Sequence, residues 1–207
     1  MNTVIDPRKV SLRKVTSATL SPHAHEWLND PEVKRFLFNV RHHHYHYEDC
    51  KQFIEQAYAV GRPHWGVFVE DVHVGNISSH KWLYADRWLD LTFLIGDRTY
   101  WGKGLGTLSA AAAIRYFFRK GFHRIQCGVF SKNQAACSML EKLGFKKEGV
   151  SRETALFENR YLDIVHYGLL ETEWKPSPGC DVVFVEDLIH SEELKQPALN
   201  KQTPMIY

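Results

Sequence analysis

Residues 89–119 read LDLTFLIGDRTYWGKGLGTLSAAAAIRYFFR, and three textures follow one another in them. Leu89 to Ile95 is a short apolar run of strand length, Arg98 to Thr107 is a glycine-rich loop, and LSAAAAIRYFFRKG reads as a buried helix of about four turns ended by Gly121. The alanines of that helix permit close approach to a sheet. A strand, a glycine loop and a helix in this order expose several backbone N–H groups at a helix N-terminus, an arrangement suited to an anion such as a pyrophosphate. Glycines matter there because a side chain would block the approach. A phosphate loop of the G-x-x-x-x-G-K-[ST] kind is excluded, since Gly106 is followed by Thr107 and Leu108. The dinucleotide fingerprint fails as well: Thr107 stands where its third glycine belongs, and Arg124 to Gln126 supplies no carboxylate for a ribose. A tight turn that holds no ligand is the remaining reading of the loop by itself.

Before this segment, Val10, Leu12 and Lys14 alternate as a first strand, and Ser17 onward reads helical up to Asp30-Pro31. Pro31 can restart a helix at its first-turn position, where a missing N–H costs nothing. A histidine- and tyrosine-rich linker, Arg41 to Tyr47, leads to a helix near Glu48 to Val60. WGVFVEDVHVGNISSHKW, from Trp65, alternates about a Glu70-Asp71 turn and predicts a hairpin. After the central segment come a strand at His123 to Phe130, a helix at Asn133 to Leu143 closed by Gly144, and a final strand at Arg160 to Leu170. The expected order is strand, helices, three strands, helix, strand, helix, strand. A short strand at Val182 to Val185 could pair with an exposed edge in a homodimer, and the polar tail to Tyr207 carries no expected structure.

The chain has 207 residues, 44% of them hydrophobic, which suits one compact domain with an appended tail. The 26 basic and 24 acidic residues are interspersed, so no long-range field marks a nucleic-acid or membrane partner. Cys50, Cys127, Cys137 and Cys180 form no C-x-x-C pair, which predicts free thiols in a reducing compartment. With no apolar leader and no run of about 18 apolar residues, a cytoplasmic location is expected. His42, His43, His44 and His46 suggest a metal, but ligation needs convergent geometry, so a solvated loop and no metal are expected.

Trp101-Gly102-Lys103-Gly104-Leu105-Gly106 resembles the pattern [Gln/Arg]-x-x-Gly-x-[Gly/Ala] of the GNAT acetyltransferases. Asn133-Gln134-Ala135-Ala136 with Glu141-Lys142-Leu143-Gly144-Phe145 resembles that superfamily's second signature. Together with Tyr161-Leu162-Asp163 and Tyr167-Gly168-Leu169, the match covers roughly residues 8 to 174 and is similar to the ribosomal-protein alanine acetyltransferase branch, where an aromatic at the position of Trp101 is familiar. The resemblance implies an α/β fold of mixed character: a central, mostly antiparallel sheet flanked by helices, with two parallel strands splayed around a coenzyme A site. It implies a transferase domain over residues 1–174 and an extension over 175–207. Acetyl-CoA would be the co-substrate and a primary amine the acceptor. Trp101, Gly102, Lys103, Gly104, Leu105, Gly106 and Thr107 would hold the pyrophosphate, and the backbone of Phe93, Leu94 and Ile95 would pair with the pantetheine arm as an added strand. Asn133 and Lys142 would lie beside the coenzyme.

An alkylamine with a pKa near about 10 must lose a proton before it attacks a thioester. Asp90, eleven residues before Trp101, stands where histone-acetylating relatives carry a glutamate base. Burial between Leu89 and Leu91 would have to raise its pKa; the competing reading is a surface carboxylate at a strand start. The resemblance places the oxyanion donor at a backbone N–H near Leu94 or Ile95. Many relatives protonate the departing thiolate with a tyrosine at the position of Leu140, so Ser138, Tyr161 and Tyr167 stand as alternatives, or solvent does. Phe36, His80 and Trp82 are the expected acceptor contacts, and Arg35 and Arg41 with the aromatics tilt the acceptor toward a small molecule such as an amino sugar or polyamine. A protein N-terminus is the alternative acceptor, and a non-catalytic module that binds coenzyme A is the rival function.

Overall fold

A computed structural model describes residues 4–38, 40, 42–157 and 159–189. Arg41, expected beside the acceptor, and the tail from residue 190 lie outside the described residues. The strands are β1 (Val10–Arg13), β2 (His64–Val69), β3 (Val72–Leu83), β4 (Trp88–Ile95), β5 (Arg124–Phe130), β6 (Lys146–Phe157), β7 (Arg160–Leu170) and β8 (Phe184–Val185); the α-helices are α1 (Ala24–Asn29), α2 (Pro31–Lys34), α3 (Tyr47–Ala59), α4 (Leu105–Arg119) and α5 (Gln134–Lys142). The strands form one open sheet in the order β6-β7-β5-β4-β3-β2-β1-β8. Pairing is antiparallel except at β4/β5 and β1/β8.

Alternation along β2 divides the interior in two. Trp65 and Val67 enter the main core with Leu89, Leu91, Ile125 and α4, whereas Phe68 enters a second core with Val15, Leu20, Trp27 and Ile54 beneath α1 and α3. Ala110 to Ala113 are all at most 1% exposed, so small side chains do let α4 lie close to the sheet, and Phe117 fills the space beside Trp65 with ring centroids 5.4 Å apart. Local chemistry sets the helix ends. Asp30 accepts from the Glu32 N–H at 2.8 Å with Pro31 as the first helical residue of α2, and Asn133 accepts from the Ala136 N–H at 3.2 Å at the start of α5. Gly121 (φ 83°) and Gly144 (φ 91°) supply the left-handed residues past α4 and α5.

Three segments depart from expectation. The chain after Ser17 is not helical until Ala24, because the Thr16 N–H bonds the Thr19 hydroxyl at 2.9 Å and Ser21 donates to His73 Nδ1, closing a turn instead. β6 was not foreseen: nearly all its side chains are exposed or half-buried, so no apolar alternation marks it, and register shifts interrupt its pairing with β7. β8 pairs with β1 of the same chain rather than awaiting a partner. The segment from Pro176 straps across α4, where Arg115 donates to the Asp181 and Val183 carbonyls and Lys120 pairs with Asp187 at 2.7 Å. Trp65 Nε1 donates to the Glu186 carbonyl at 2.9 Å, and Cys180, Val183 and Ile189 are buried in the main core.

Candidate active site

The parallel pair β4/β5 is short. Trp88, Leu89 and Asp90 pair with Arg124, Ile125 and Gln126, and there the ladder stops although both strands continue. A wedge therefore opens beyond Asp90, as expected. Backbone direction within it follows from alternation: the Gly96 N–H bonds to Val74 of β3 at 2.9 Å, so Leu94 and Thr92 also face β3, and Leu91, Phe93 and Ile95 face the wedge. Of the three residues expected to line a bound strand, Phe93 and Ile95 thus present N–H and C=O groups to the wedge. Leu94, paired with Asn76, does not.

Asp90 is the last paired residue at the closed end. Burial raises its pKa from the usual 3.8 to about 6, against the opposing pull of Lys81, its partner on β3, and of a hydrogen bond with Gln126, its partner on β5. The expected burial is present. Just past it, the Leu91 N–H reaches the sulfur of Cys127, a fully buried thiol whose pKa burial drives well up, so it stays protonated. Cys127, Gln126 and Lys81 were not singled out from the sequence, because what distinguishes them is pairing with β4, which no local pattern reports.

At the open end the chain passes through a single 3₁₀ turn, Arg98–Tyr100, capped by the Asp97 carboxylate on the Thr99 N–H and hydroxyl. Gly102 (φ 71°) and Gly104 (φ 80°) then take left-handed conformations, Gly104 as N-cap of α4. The first four N–H groups of α4, at Leu105, Gly106, Thr107 and Leu108, open this helix, and the Leu108 N–H returns to the Gly104 carbonyl. Lys103 is half-buried, with its carbonyl accepting from Ile5. A Cβ at Gly106 would lie 3.5 Å from Met139 Sδ, so α4 and α5 flank the wedge closely. Trp101, 40% exposed, turns back so that its Nε1 donates to the Ile95 carbonyl at 2.8 Å. Asn133 caps α5 just beyond the outer end of β5, whereas Lys142 is exposed in the last turn of α5.

On the acceptor side, Phe36 joins Phe38, Leu162 and the buried Phe130, Ala155 and Ile164 at the outer end of β5, with Phe38 stacked on Phe130 at 4.3 Å. His80 is the bulged residue between Ser79 and Lys81 and is exposed. Trp82 pairs with Leu89 and packs on the main core, on the face away from Asp90, so the structure does not bring it to the other two. The hydroxyl candidates are scattered too. Tyr167 donates to Glu141 at 3.1 Å, Ser138 and Tyr161 are exposed, and Leu140 is buried. A separate cavity of about 460 Å³, lined in part by Leu20, Ile54 and Tyr58, lies between α3 and the segment that follows β1, strands away from Asp90. Among the described residues, no cluster of three or more metal-ligand side chains occurs and no helix is long and apolar enough to cross a membrane.

Residues 9–146 match the family model for the acetyltransferase (GNAT) domain. The [ribosomal protein uS5]-alanine N-acetyltransferase of Escherichia coli is 34% identical over 87 residues, which are 42% of this chain and 44% of that protein. The chain spans about half the length of the curated relatives it matches first. Among solved structures, a GNAT-family acetyltransferase of Bacillus anthracis is 23% identical with a TM-score of 0.68, over 80% of this chain and 96% of that one. Spermidine N-acetyltransferase of Vibrio cholerae, solved with CoA and spermine, is 19% identical with a TM-score of 0.70, over 80% and 97%. At such identities the likeness concerns the fold.

Proposed function

Because the chain belongs to the GNAT acetyltransferase family, we propose that it moves an acetyl group from acetyl-CoA to a primary amine by direct attack within a ternary complex. The observation that carries this reading is the single wedge, which has a carboxylate of raised pKa at its closed end and a glycine cradle at its open end. The residues present fit the co-substrate. The N–H and C=O of Phe93 and the N–H of Ile95 suit the amides of a pantetheine arm, and the N–H groups from Gly102 to Thr107, free of obstructing side chains at three glycines, suit a pyrophosphate at the positive end of α4. Bound acetyl-CoA supplies the activated acetyl group.

The chain's own groups do the rest. Asp90, ionised above about pH 6, accepts the proton of the incoming ammonium directly or through water, and Gln126 holds the carboxylate in place. The thiolate takes its proton from solvent, since Leu140 has none to give and the Tyr167 hydroxyl is committed to Glu141. Phe36, Phe38 and His80 flank the acceptor on the Asp90 face, with Arg35 beside Phe36.

The acceptor in this reading is a small molecule such as an amino sugar or polyamine, and the enzyme acts in the cytoplasm. A protein N-terminus is the second reading, favoured by the Escherichia coli relative that acts on an alanine of ribosomal protein uS5. Thiol release from acetyl-CoA, measured against amino sugars and their nucleotides, polyamines and peptides with free N-termini, tests both. Release stimulated by one class identifies the acceptor; coenzyme A binding without stimulated release by any class contradicts the transferase reading.

A further inference from the structure

We infer that Trp101 is a positioning residue for the co-substrate: its indole N–H, bonded to the Ile95 carbonyl, presets the spacing between the glycine cradle and the β4 backbone. The inference rests on the proposal that the wedge takes acetyl-CoA.

Ile95 is the last residue of β4, and its carbonyl points into the wedge because the next N–H, that of Gly96, turns to β3. Left alone, that carbonyl would be an unpaired acceptor at the sheet edge. Trp101, six residues further on, supplies the donor at 2.8 Å. The 3₁₀ turn between them folds the chain back far enough for this, and Asp97 stabilises the turn through Thr99. Burial does not explain the placement, since Trp101 is 40% exposed. Instead the ring is fixed by its hydrogen bond and by the Arg98 guanidinium 5.6 Å from its centre, and Arg98 is itself paired at 3.2 Å with Asp30, the cap of α2.

The consequence for a long ligand is geometric. At the closed end of the wedge the Leu91 N–H is held by Cys127, and at the open end the Ile95 carbonyl is held by Trp101, with Phe93 between them. An extended arm therefore meets a bounded run of backbone, about 13 Å at the rise of a strand, and then the cradle that begins at Gly102, the residue next to the one that makes the bond. Fixing the two half-sites relative to one another removes an ordering cost from binding a molecule that must occupy both.

The test compares wild type with Trp101→Phe, which keeps an aromatic ring but loses the donor, and Trp101→Gln, whose amide N–H has a similar reach. Calorimetry uses CoA alone, with thermal melting as the control for folding. The expected result is CoA affinity lowered about fivefold in W101F, the factor of one net hydrogen bond, with a melting temperature lower by no more than about 4 °C, and recovery of affinity to within about twofold of wild type in W101Q. In spectra of the ¹⁵N-labelled protein, the indole signal missing from W101F should keep its wild-type position when CoA is added. Equal CoA affinity in W101F and wild type, W101Q no better than W101F, or a W101F melting temperature lower by more than about 10 °C, which would mark general unfolding, each overturns the inference. Wild type that binds no CoA removes the functional reading itself, and this inference with it.

Discussion

Asp90→Asn should make the protein more stable while disabling it. At about 1.4 kcal/mol per pKa unit, the rise from 3.8 to about 6 means that ionising Asp90 costs about 3 kcal/mol more in the folded protein than in the unfolded chain. Asparagine resembles the protonated acid, keeps a partner for Gln126 and carries no charge to bury. Asp90 is half-buried with Lys81 nearby, so part of that cost is relieved by solvent and by the ammonium, and the expected gain at pH 7.5 is about 1–3 kcal/mol. For a chain of this size that is a melting temperature higher by about 3–9 °C. The sign fixes the pH window. Below about pH 4 the carboxyl is protonated in both states and the variants should be equally stable. Between about pH 4 and pH 6 the unfolded chain releases the proton first, so wild type loses stability as pH rises and the gap opens; above that it stays constant. Differential scanning calorimetry of both proteins from pH 4 to pH 8 measures it. A gap absent at pH 7.5, or one that widens toward low pH, would refute the assignment of a raised pKa to Asp90.

Other outcomes follow from single contacts. Gly104→Asp should abolish CoA binding in calorimetry yet leave a folded protein, because a Cβ there meets nothing within 4 Å; the damage is a carboxylate in an anion cradle, with about 1 kcal/mol of strain at φ 80°. Trp65→Phe keeps a ring in the core but loses the bond to Glu186, and should speed amide hydrogen exchange at Phe184 and Val185 several-fold by loosening the strap. Lys120→Met removes the ion pair to Asp187, and should cost about 1 kcal/mol in urea unfolding at low salt and less at high salt. Gly168→Ala would place a Cβ 2.2 Å from Glu148 Oε1, and should displace that side chain from Arg124 at a cost of about 1–2 kcal/mol in the same assay.

The parts of this architecture that were legible in the sequence are those whose signals are local. The strand, glycine loop and helix of residues 89–119, the Glu70-Asp71 hairpin, and the Pro31, Gly121 and Gly144 boundaries each follow from periodicity or from one residue's backbone preference. β6 escaped because Lys146 to Phe157 is an edge strand whose side chains face solvent, so tertiary pairing with β7 organises it and apolar patterning does not. The place of Asp90 at the wedge apex was anticipated through resemblance, but the partners that set its pKa depend on register. A bulge at His80 decides that Lys81 faces Asp90 and that Trp82 turns to the core. The same holds for Leu94, whose alternation with Ile95 is regular in sequence while its direction is set by the bond from Gly96 to Val74.

The most direct measurement is transfer of a labelled acetyl group from acetyl-CoA to a primary amine by wild type, Gly104→Asp and Asp90→Asn in parallel, with CoA affinity recorded for each. The account predicts label in the amine with wild type, none with Gly104→Asp, and transfer lower by about 10²-fold or more with Asp90→Asn at nearly unchanged CoA affinity. Transfer by Asp90→Asn at the wild-type rate, or wild type that binds CoA and never passes its acetyl group to any amine, would contradict it.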